Sequence, residues 1–557
     1  TLNYNQTFAD KHDVSILLGQ EITYNESESN SINLVKFPLP NFGLDDISNA
    51  TVLDKSTGHS RSGIASFFAR ANYTFDNRYL LTATIRTDGS SKFAEGHKWG
   101  VFPSVSGAWK ISEESFWKDH NIANTISSLK LRAGYGVTGN NGIGNNLYIT
   151  TVAQTDYPTN NMPGNPVYVP SSTLGNRGLQ WETLNATNLG LDISLFNRRV
   201  DITAEWYNNE IANMLLKSVI PSSTGYANQY QNVGTMRNRG WEFTISTVNI
   251  KSSDFRWTTD LNFAFNKSKV LGLEDGITEK TFAAGGNRSG SVTYYATVGE
   301  KLGDMYGYVY EGLYTTDDFT QNANGSYTLK PGVVKPSTGT ASPGDIKFAA
   351  DNEAGDQFTR KLVKIGNGTP DCIGGFTNTF TYKGFDLNVF MNFSIGNDIY
   401  NASKHSTSPY AMFQNTLSEF GDNYYRLIDP LTGLKATSLD RISELNPDQA
   451  SRTSALNLVN SGYITYPSSY YVEDGSYLRI AQITFGYTLP KEWSDKVKMT
   501  RARFYFTGNN LFTFTKYSGF DPEVSAANND SVAVTPGYDS STYPRSKSLV
   551  FGLNLTF

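Results

Sequence analysis

The residues best placed to do chemistry in this sequence form few workable combinations. Gly134-Tyr-Gly-Val-Thr-Gly139 has the G-x-G-x-x-G spacing of a dinucleotide-binding turn. That turn works only between a strand and a helix, where the helix N-terminus takes the phosphate. Here the motif closes an alternating strand and leads into Asn140-Asn-Gly-Ile-Gly-Asn-Asn146, which has loop composition, so these read as rim glycines of a strand. The histidines His12, His59, His97, His120 and His405 show no ligand spacing to one another. Cys372 is the single cysteine and lies far along the chain from any histidine. It excludes an intrachain disulfide framework and a thiolate metal cluster. No Ser–His–Asp set follows from chain order, and carboxylates are too numerous to single out a catalytic pair. We expect no enzyme.

Composition points elsewhere. The 557 residues include 33 Tyr, 33 Phe, 8 Trp and 49 Gly, although only 38% are hydrophobic. No run approaches the ~18 apolar residues of a membrane-spanning helix. A closed β-barrel can still cross a bilayer, because its strands are roughly half polar and pair every backbone group internally. The net charge of −5, with both signs interspersed, argues against a nucleic-acid partner. Scarcity of cysteine suits an exported bacterial protein.

The elements that must carry any function are strands. About fifteen candidates emerge from alternation and β-branched or aromatic content. Clear examples are Ala65/Phe67/Ala69/Ala71/Tyr73/Phe75, Trp257/Thr259/Leu261/Phe263/Phe265 and Phe385/Leu387/Val389/Met391/Phe393. The final strand sets the pattern, with Leu549, Phe551, Leu553, Leu555 and Phe557 on one face and Ser548, Gly552, Asn554 and Thr556 on the other. An aromatic C-terminal strand of this kind closes an outer-membrane barrel, apolar toward lipid and polar toward the lumen. Tight turns at Asp76-Asn77-Arg78, Asn197-Arg198, Lys251 to Asp254 and Lys383-Gly384 alternate with long polar connections over 25–62, 138–185, 209–239, 267–372, 395–476 and 513–547. Short periplasmic turns and long external loops are the barrel pattern. The connections 111–128 and 489–500 are of middle length, with a helical turn expected at Glu113 to Asp119. Within 267–372, Tyr306 to Tyr314 and Asp345 to Phe348 are candidates for two further strands. With the last strand running inward, Leu2 to Phe8 also runs inward, and an even-stranded barrel then lacks an odd number of strands at its front.

Several long stretches resemble the SusC-like TonB-dependent transporters of Bacteroidetes. They are Arg70 to Phe93, Val101-Phe-Pro-Ser-Val-Ser-Gly-Ala-Trp109, Leu179-Gln-Trp-Glu-Thr183, Asn232 to Phe243, Glu473-Asp-Gly-Ser-Tyr-Leu-Arg-Ile480, Gly486-Tyr-Thr-Leu-Pro490, Asn509 to Glu523 and the Phe557 ending. The resemblance implies an all-β fold, a transmembrane antiparallel barrel of about 22 strands around a plug. Residues 1–557 would then be most of the barrel, with the N-terminal plug and first strands absent from this chain. It implies TonB-dependent import of a bulky nutrient, a glycan or an oligopeptide, across the outer membrane of a Gram-negative, Bacteroidetes-like bacterium. The implied partners are a SusD-like surface lipoprotein acting as lid, TonB–ExbB–ExbD acting through the N-terminal region, and outer-membrane lipid. No cofactor is implied. Where the family often carries an acidic, glycine-containing loop suited to Ca2+, this chain reads Asp351-Asn-Glu-Ala-Gly-Asp356 with shifted spacing. Hard cations need converging oxygens, so a solvated acidic loop is expected, with Ca2+ as the lesser alternative. Tyr226, Tyr230, Tyr463 and Tyr466 sit in Tyr- and Asn-rich loops. They are the candidate contacts to substrate or lid, since flat aromatics stack on sugar faces and on other planar groups. The alternative function is a structural or adhesive outer-membrane barrel without active transport.

Overall fold

The computed structural model describes every residue except 37–49, 160–161, 275, 286–290, 408–416, 455–465, 497 and 525–533. Among the described residues, fifteen long strands follow one another along the chain; those from Leu2 to Leu195, and those from Phe255 to Thr556, each pair antiparallel with the next. They are β1 (Leu2–Phe8), β2 (His12–Val35), β3 (Thr51–Phe75), β4 (Tyr79–Ser90), β5 (Trp99–Lys110), β6 (Ile126–Asn140), β7 (Glu182–Leu195) and β8 (Val200–Ala212). There follow β9 (Thr235–Lys251), β10 (Phe255–Gly272), β11 (Cys372–Tyr382), β12 (Phe385–Ile395), β13 (Tyr477–Thr488), β14 (Arg501–Thr515) and β15 (Ser548–Thr556). Contacts divide the chain into two units, Thr1–Asn197 with Glu205–Arg239, and Arg198–Ala204 with Gly240–Phe557.

In the first unit, period-two patterning produces two unlike faces. Tyr79, Leu81 and Ile85 of β4 are exposed. From the opposite face Thr82 Oγ1 donates to Asn72 Oδ1 at 2.9 Å, and Arg86 Nε donates to Asp88 Oδ1 at 2.7 Å. The tight turns carry left-handed backbone, with φ of 48° and 53° at Ala9 and Asp10 and 50° and 52° at Asp76 and Asn77. Two successive positive-φ residues match the twist of the flanking strands, which is why Asn and Asp recur there. Around the second turn, Phe75 stacks on Tyr79 and Tyr79 on Trp109, with centroids 6.2 and 6.3 Å apart. Trp109 Nε1 and the Tyr79 hydroxyl both donate to Glu114 Oε1, at 3.0 and 2.6 Å, and Arg78 pairs with Glu114 Oε2 at 2.7 Å.

Those donors hold the Glu114 carboxyl down from its ordinary 4.5 to about 2, the Tyr79 hydroxyl being the largest cause. A depressed folded-state value stabilises the fold above the unfolded carboxylate range and ceases to do so as pH falls through about 2. The wild type is therefore expected to lose stability between about pH 4.5 and 2 by an amount that Glu114→Gln does not show. Tryptophan fluorescence across an acid titration of both proteins measures this, and coincident curves would refute it.

The second unit repeats the design. β10 to β15 pair in chain order, and short turns join them at one end, with Lys383 N donating to Asp254 O at 3.3 Å and Thr488 N to Gly384 O at 2.8 Å. Gly384 has φ of 91°, and a Cβ there would lie 2.7 Å from Thr488 O. Gly384→Ala is thus expected to cost about 1–2 kcal/mol, read as a lower unfolding temperature in detergent.

Two expectations are corrected. Segment 25–62 is not a loop where it is described: β2 continues to Val35 and β3 starts at Thr51, with Val35 opposite Thr51 and Glu26 opposite Arg61. This arm is polar on both faces, so it lacks the one-sided pattern that marks a strand, while backbone pairing needs no such pattern. Tyr306 to Tyr314 and Asp345 to Phe348 do form strands, but not in the long sheet. Asp304–Gly307 joins a four-stranded sheet, and Tyr310–Leu313 pairs with Ile346–Phe348. Elsewhere strands run a few residues past the expected loop bounds, as β8 does to Ala212 and β10 to Gly272. The middle-length connections carry Ser115–Lys118 and Lys491–Lys496 as short helices.

Among the described residues, most buried apolar side chains belong to the connections, with Phe102, Val270 and Ala502 as exceptions on the long strands. In the first unit Phe93, Phe102, Leu179 and Trp181 pack together. In the second, Tyr294, Met305, Tyr400, Tyr471 and Tyr538 do so.

Candidate functional site

Gly134, Gly136 and Gly139 all lie within β6, which no helix follows. A Cβ at Gly139 would run into the Phe102 ring, and one at Gly136 would lie 3.0 Å from Ser104 Cβ. These glycines admit the neighbouring strand's side chains and shape no phosphate site.

The candidate loop tyrosines have separate fates. In the first unit, Tyr226 is half-buried, and Tyr230 packs against the cluster around Leu179 and Trp181. In the second unit, Tyr466 belongs to an aromatic cluster with Tyr308 at 5.5 Å and Phe348 at 6.3 Å, and the Arg360 guanidinium lies 5.3 Å over its ring. Tyr463 lies outside the described residues. In the 351–356 loop, Asp351 Oδ1 accepts Thr359 Oγ1 at 2.6 Å and Oδ2 accepts Lys361 N at 2.7 Å. Asp356 accepts Asn352 Nδ2 at 2.8 Å and pairs with Lys335 at 3.0 Å. Both carboxylates thus receive donors from the loop's own neighbourhood.

The connections of the second unit converge into one packed body. Asp398–Asn401 runs antiparallel to Val472–Asp474 and parallel to Tyr538–Asp539. Tyr400 donates to or accepts from His405 Nδ1 at 2.7 Å, and His405 stacks on Tyr471 at 4.2 Å. Burial raises the Tyr400 and Tyr294 hydroxyls well above their ordinary value and pushes Tyr310 up to about 12. These phenols stay neutral at any physiological pH, which suits packing and not proton transfer.

Beside that body is a cavity of 770 Å³ against β9 to β13, lined by polar and apolar residues alike. Strand register places its lining. Ala264, Ile373, Ser394 and Tyr477 are partners across β10, β11, β12 and β13 and all line it, and in the adjoining row Asn262 and Asn392 line it while their partners Gly375 and Arg479 do not. Partners directly opposite share a face. Ser394 Oγ donates to Asn397 Oδ1 at 2.8 Å, and Asn392 Nδ2 donates to the Tyr477 hydroxyl at 3.4 Å. At its side lies an ionic cluster, of which Glu523 and Arg545 line the cavity. Arg479 is only 2% exposed, and its guanidinium reaches Asp521 Oδ1 at 2.5 Å, Glu523 Oε2 at 2.8 Å and Thr513 Oγ1 at 3.1 Å. Arg545 completes it at 2.7 Å from Glu523 Oε1. Arg479, Asp521 and Glu523 lie in stretches that carry the family resemblance, yet nothing adjacent in the chain marks them as partners. The available signal was a guanidinium at a polar-face position with an Asp-x-Glu pair in the next long loop.

Long antiparallel strands with apolar side chains exposed on one face, a polar opposite face and long connections packed at one end define an outer-membrane β-barrel protein. The chain belongs to the TonB-dependent receptor-like β-barrel family, whose model matches residues 1–352, and within it the chain is SusC-like. It is 31% identical over 559 residues to the TonB-dependent receptor P3 of Formosa agariphila, covering 100% of this chain and 52% of that protein. It is 30% identical over 522 residues to the TonB-dependent receptor SusC of Bacteroides thetaiotaomicron, covering 91% of this chain and 45% of that protein. The chain spans about half the length of the curated relatives it matches. Among solved structures, the RagAB peptide transporter shares the fold, with a TM-score of 0.74 at 23% identity over 100% of this chain and 54% of that one.

Proposed function

We propose that this chain forms the wall of a TonB-dependent importer that brings a bulky nutrient, a glycan or an oligopeptide, across the outer membrane. A SusD-like surface lipoprotein closes over the packed loops, and TonB–ExbB–ExbD supplies the work. The observation that carries this reading is family membership along residues 1–352. The cavity beside the converged loops, lined by polar and apolar residues together, supports it, since an importer needs a selective surface inside the wall. The likeness to a protein described as a peptide transporter and the kinship with SusC support the nutrient class. Ca2+ at Asp351–Asp356 remains the lesser proposal.

The test is gentle extraction of the complex from outer membranes, followed by native mass spectrometry, beside growth of a deletion strain on candidate nutrients. A co-purifying lipoprotein with retained oligomers, and growth lost on the matching nutrient, is the expected result. A barrel without partner or cargo, in a strain whose growth is unaffected by deletion, would favour a structural role instead.

A further inference from the structure

We propose that the connection between β5 and β6, Ile111 to Thr125, is a lipid-binding foot. It folds against the lipid-facing side of the sheet, so that Phe116 and Ile122 enter the periplasmic leaflet of the outer membrane. This goes beyond import and needs only that the strands of the first unit cross a bilayer.

Reversing the chain between antiparallel strands takes about two or three residues, as the turn at Asp76 and Asn77 between β3 and β4 does. The β5–β6 connection is far longer and carries the helix Ser115–Lys118 and a helical turn over Asn121–Asn124. Glu114 fixes where it goes. Tyr79, Trp109 and Leu131 are register partners across β4, β5 and β6. All three are exposed, on the face that also shows Leu81 and Ile85. That face is the one turned to lipid. The Tyr79 hydroxyl and Trp109 Nε1 both donate to Glu114 Oε1, at 2.6 and 3.0 Å. A carboxylate reached by two lipid-facing rings lies on the lipid side of the sheet and draws the connection there with it. Arg78 pairs with Glu114 Oε2 at 2.7 Å, so the carboxylate arrives with its counter-charge.

Depth follows from the same rings. Tyr79 opens β4 and Trp109 stands beside the last residue of β5, both at the short-turn end. Aromatic rows at that position lie at the level of the lipid headgroups. Just past Glu114, Phe116 is 54% exposed, and Ile122 is 46% exposed. Trp117 between them is half-buried instead, and its Nε1 donates to Ile126 O at 3.3 Å, tying the segment to the start of β6. Lys110 Nζ donates to the neutral Asn77 Oδ1 at 2.8 Å, which leaves its charge to a phosphate. Apolar side chains continuous with a lipid-facing row, with a cation at their edge, are the pattern of an interfacial segment. A phospholipid leaflet is the occupant because a protein could cover this surface only by entering the interface itself.

The experiment reconstitutes the full-length protein in vesicles of phosphatidylethanolamine and phosphatidylglycerol. A trace of phospholipid carries a diazirine on the upper part of one acyl chain. After photolysis, adducts are mapped by mass spectrometry, in which the tryptic fragments 111–118 and 119–130 report the foot. Phe116 and Ile122 are expected to carry adducts at a yield at least fivefold above the Ala9–Asp10 turn, alongside Leu81 and Ile85 on the strand. Phe116→Asp with Ile122→Asp lowers adducts in 111–125 at least fivefold while Leu81 and Ile85 are labelled as before. Should that variant not assemble, the map of the wild type decides alone. Adducts on Leu81 and Ile85 with none above the turn's yield in 111–125 overturn the proposal and leave this surface to a periplasmic protein or a second copy. Unchanged labelling of 111–125 in an assembled variant overturns it too. If Leu81 and Ile85 also stay unlabelled, the membrane-facing assignment of the sheet fails with it.

Discussion

A chain carrying Phe551→Lys and Phe557→Lys is expected to fail to insert into the outer membrane and to be recovered protease-sensitive and without a heat-dependent gel shift. Phe551 and Phe557 are 80% and 81% exposed, on the same face as Leu549, Leu553 and Leu555. Phe551 stands opposite Phe506 and their ring centroids are 5.0 Å apart. With about 3.3 Å per residue, Phe551 lies roughly 20 Å along the strand from the C-terminal ring. Even with the tilt of a barrel strand, that is deep in the hydrocarbon. A Lys there costs about 2–4 kcal/mol, falling toward zero near the interface, so Phe551→Lys carries most of the effect. Asn554→Lys, on the opposite face, is the control and is expected to assemble. Normal assembly of the double variant, or failure of the control alone, would invert the assignment of faces.

Arg479→Met is expected to release the connection between β14 and β15, seen as faster proteolysis within 513–547 and a lower unfolding temperature. The guanidinium is the largest of the fully buried side chains and bridges Asp521, Glu523 and Thr513. Removing it leaves Asp521 buried without its main counter-charge, and breaking a buried pair from one side typically costs about 3–5 kcal/mol. Arg479→Lys recovers little, because an ammonium cannot serve two carboxylates and a hydroxyl through one planar fork. Adding Asp521→Asn and Glu523→Gln to Arg479→Met is expected to restore a good part of the loss, since no carboxylate is then stranded. If proteolysis and unfolding temperature are unchanged in Arg479→Met, the cluster does not anchor the loop.

The wall was legible in the sequence because a lipid-facing strand writes its environment into every second residue. Tyr79, Leu81 and Ile85 need no partner to declare their face, and neither do Leu549 through Phe557. The turns were equally plain, since Asp76-Asn77 and Lys383-Gly384 are residue types that tolerate left-handed backbone. The Glu26–Arg61 arm escaped notice because its side chains are polar on both sides and carry no such record. The loop tyrosines were visible as composition, yet Tyr466 is committed to Tyr308, Phe348 and Arg360, which only long-range packing reveals.

What the sequence determined by itself was therefore the membrane-type β fold, its end with short turns and its kinship. These rest on local periodicity and on stretches of adjacent residues. What only the tertiary structure decided was the cavity of the second unit, the Arg479 cluster and the buried tyrosine body. Each joins residues from distant connections whose spacing along the chain has no period. Asn262, Gly375 and Asn392 come into one row only through the register of β10, β11 and β12, and Arg479 meets Asp521 only when a long loop folds back on its strand. Such contacts are set by pairing and packing across the fold, which no stretch of sequence encodes alone.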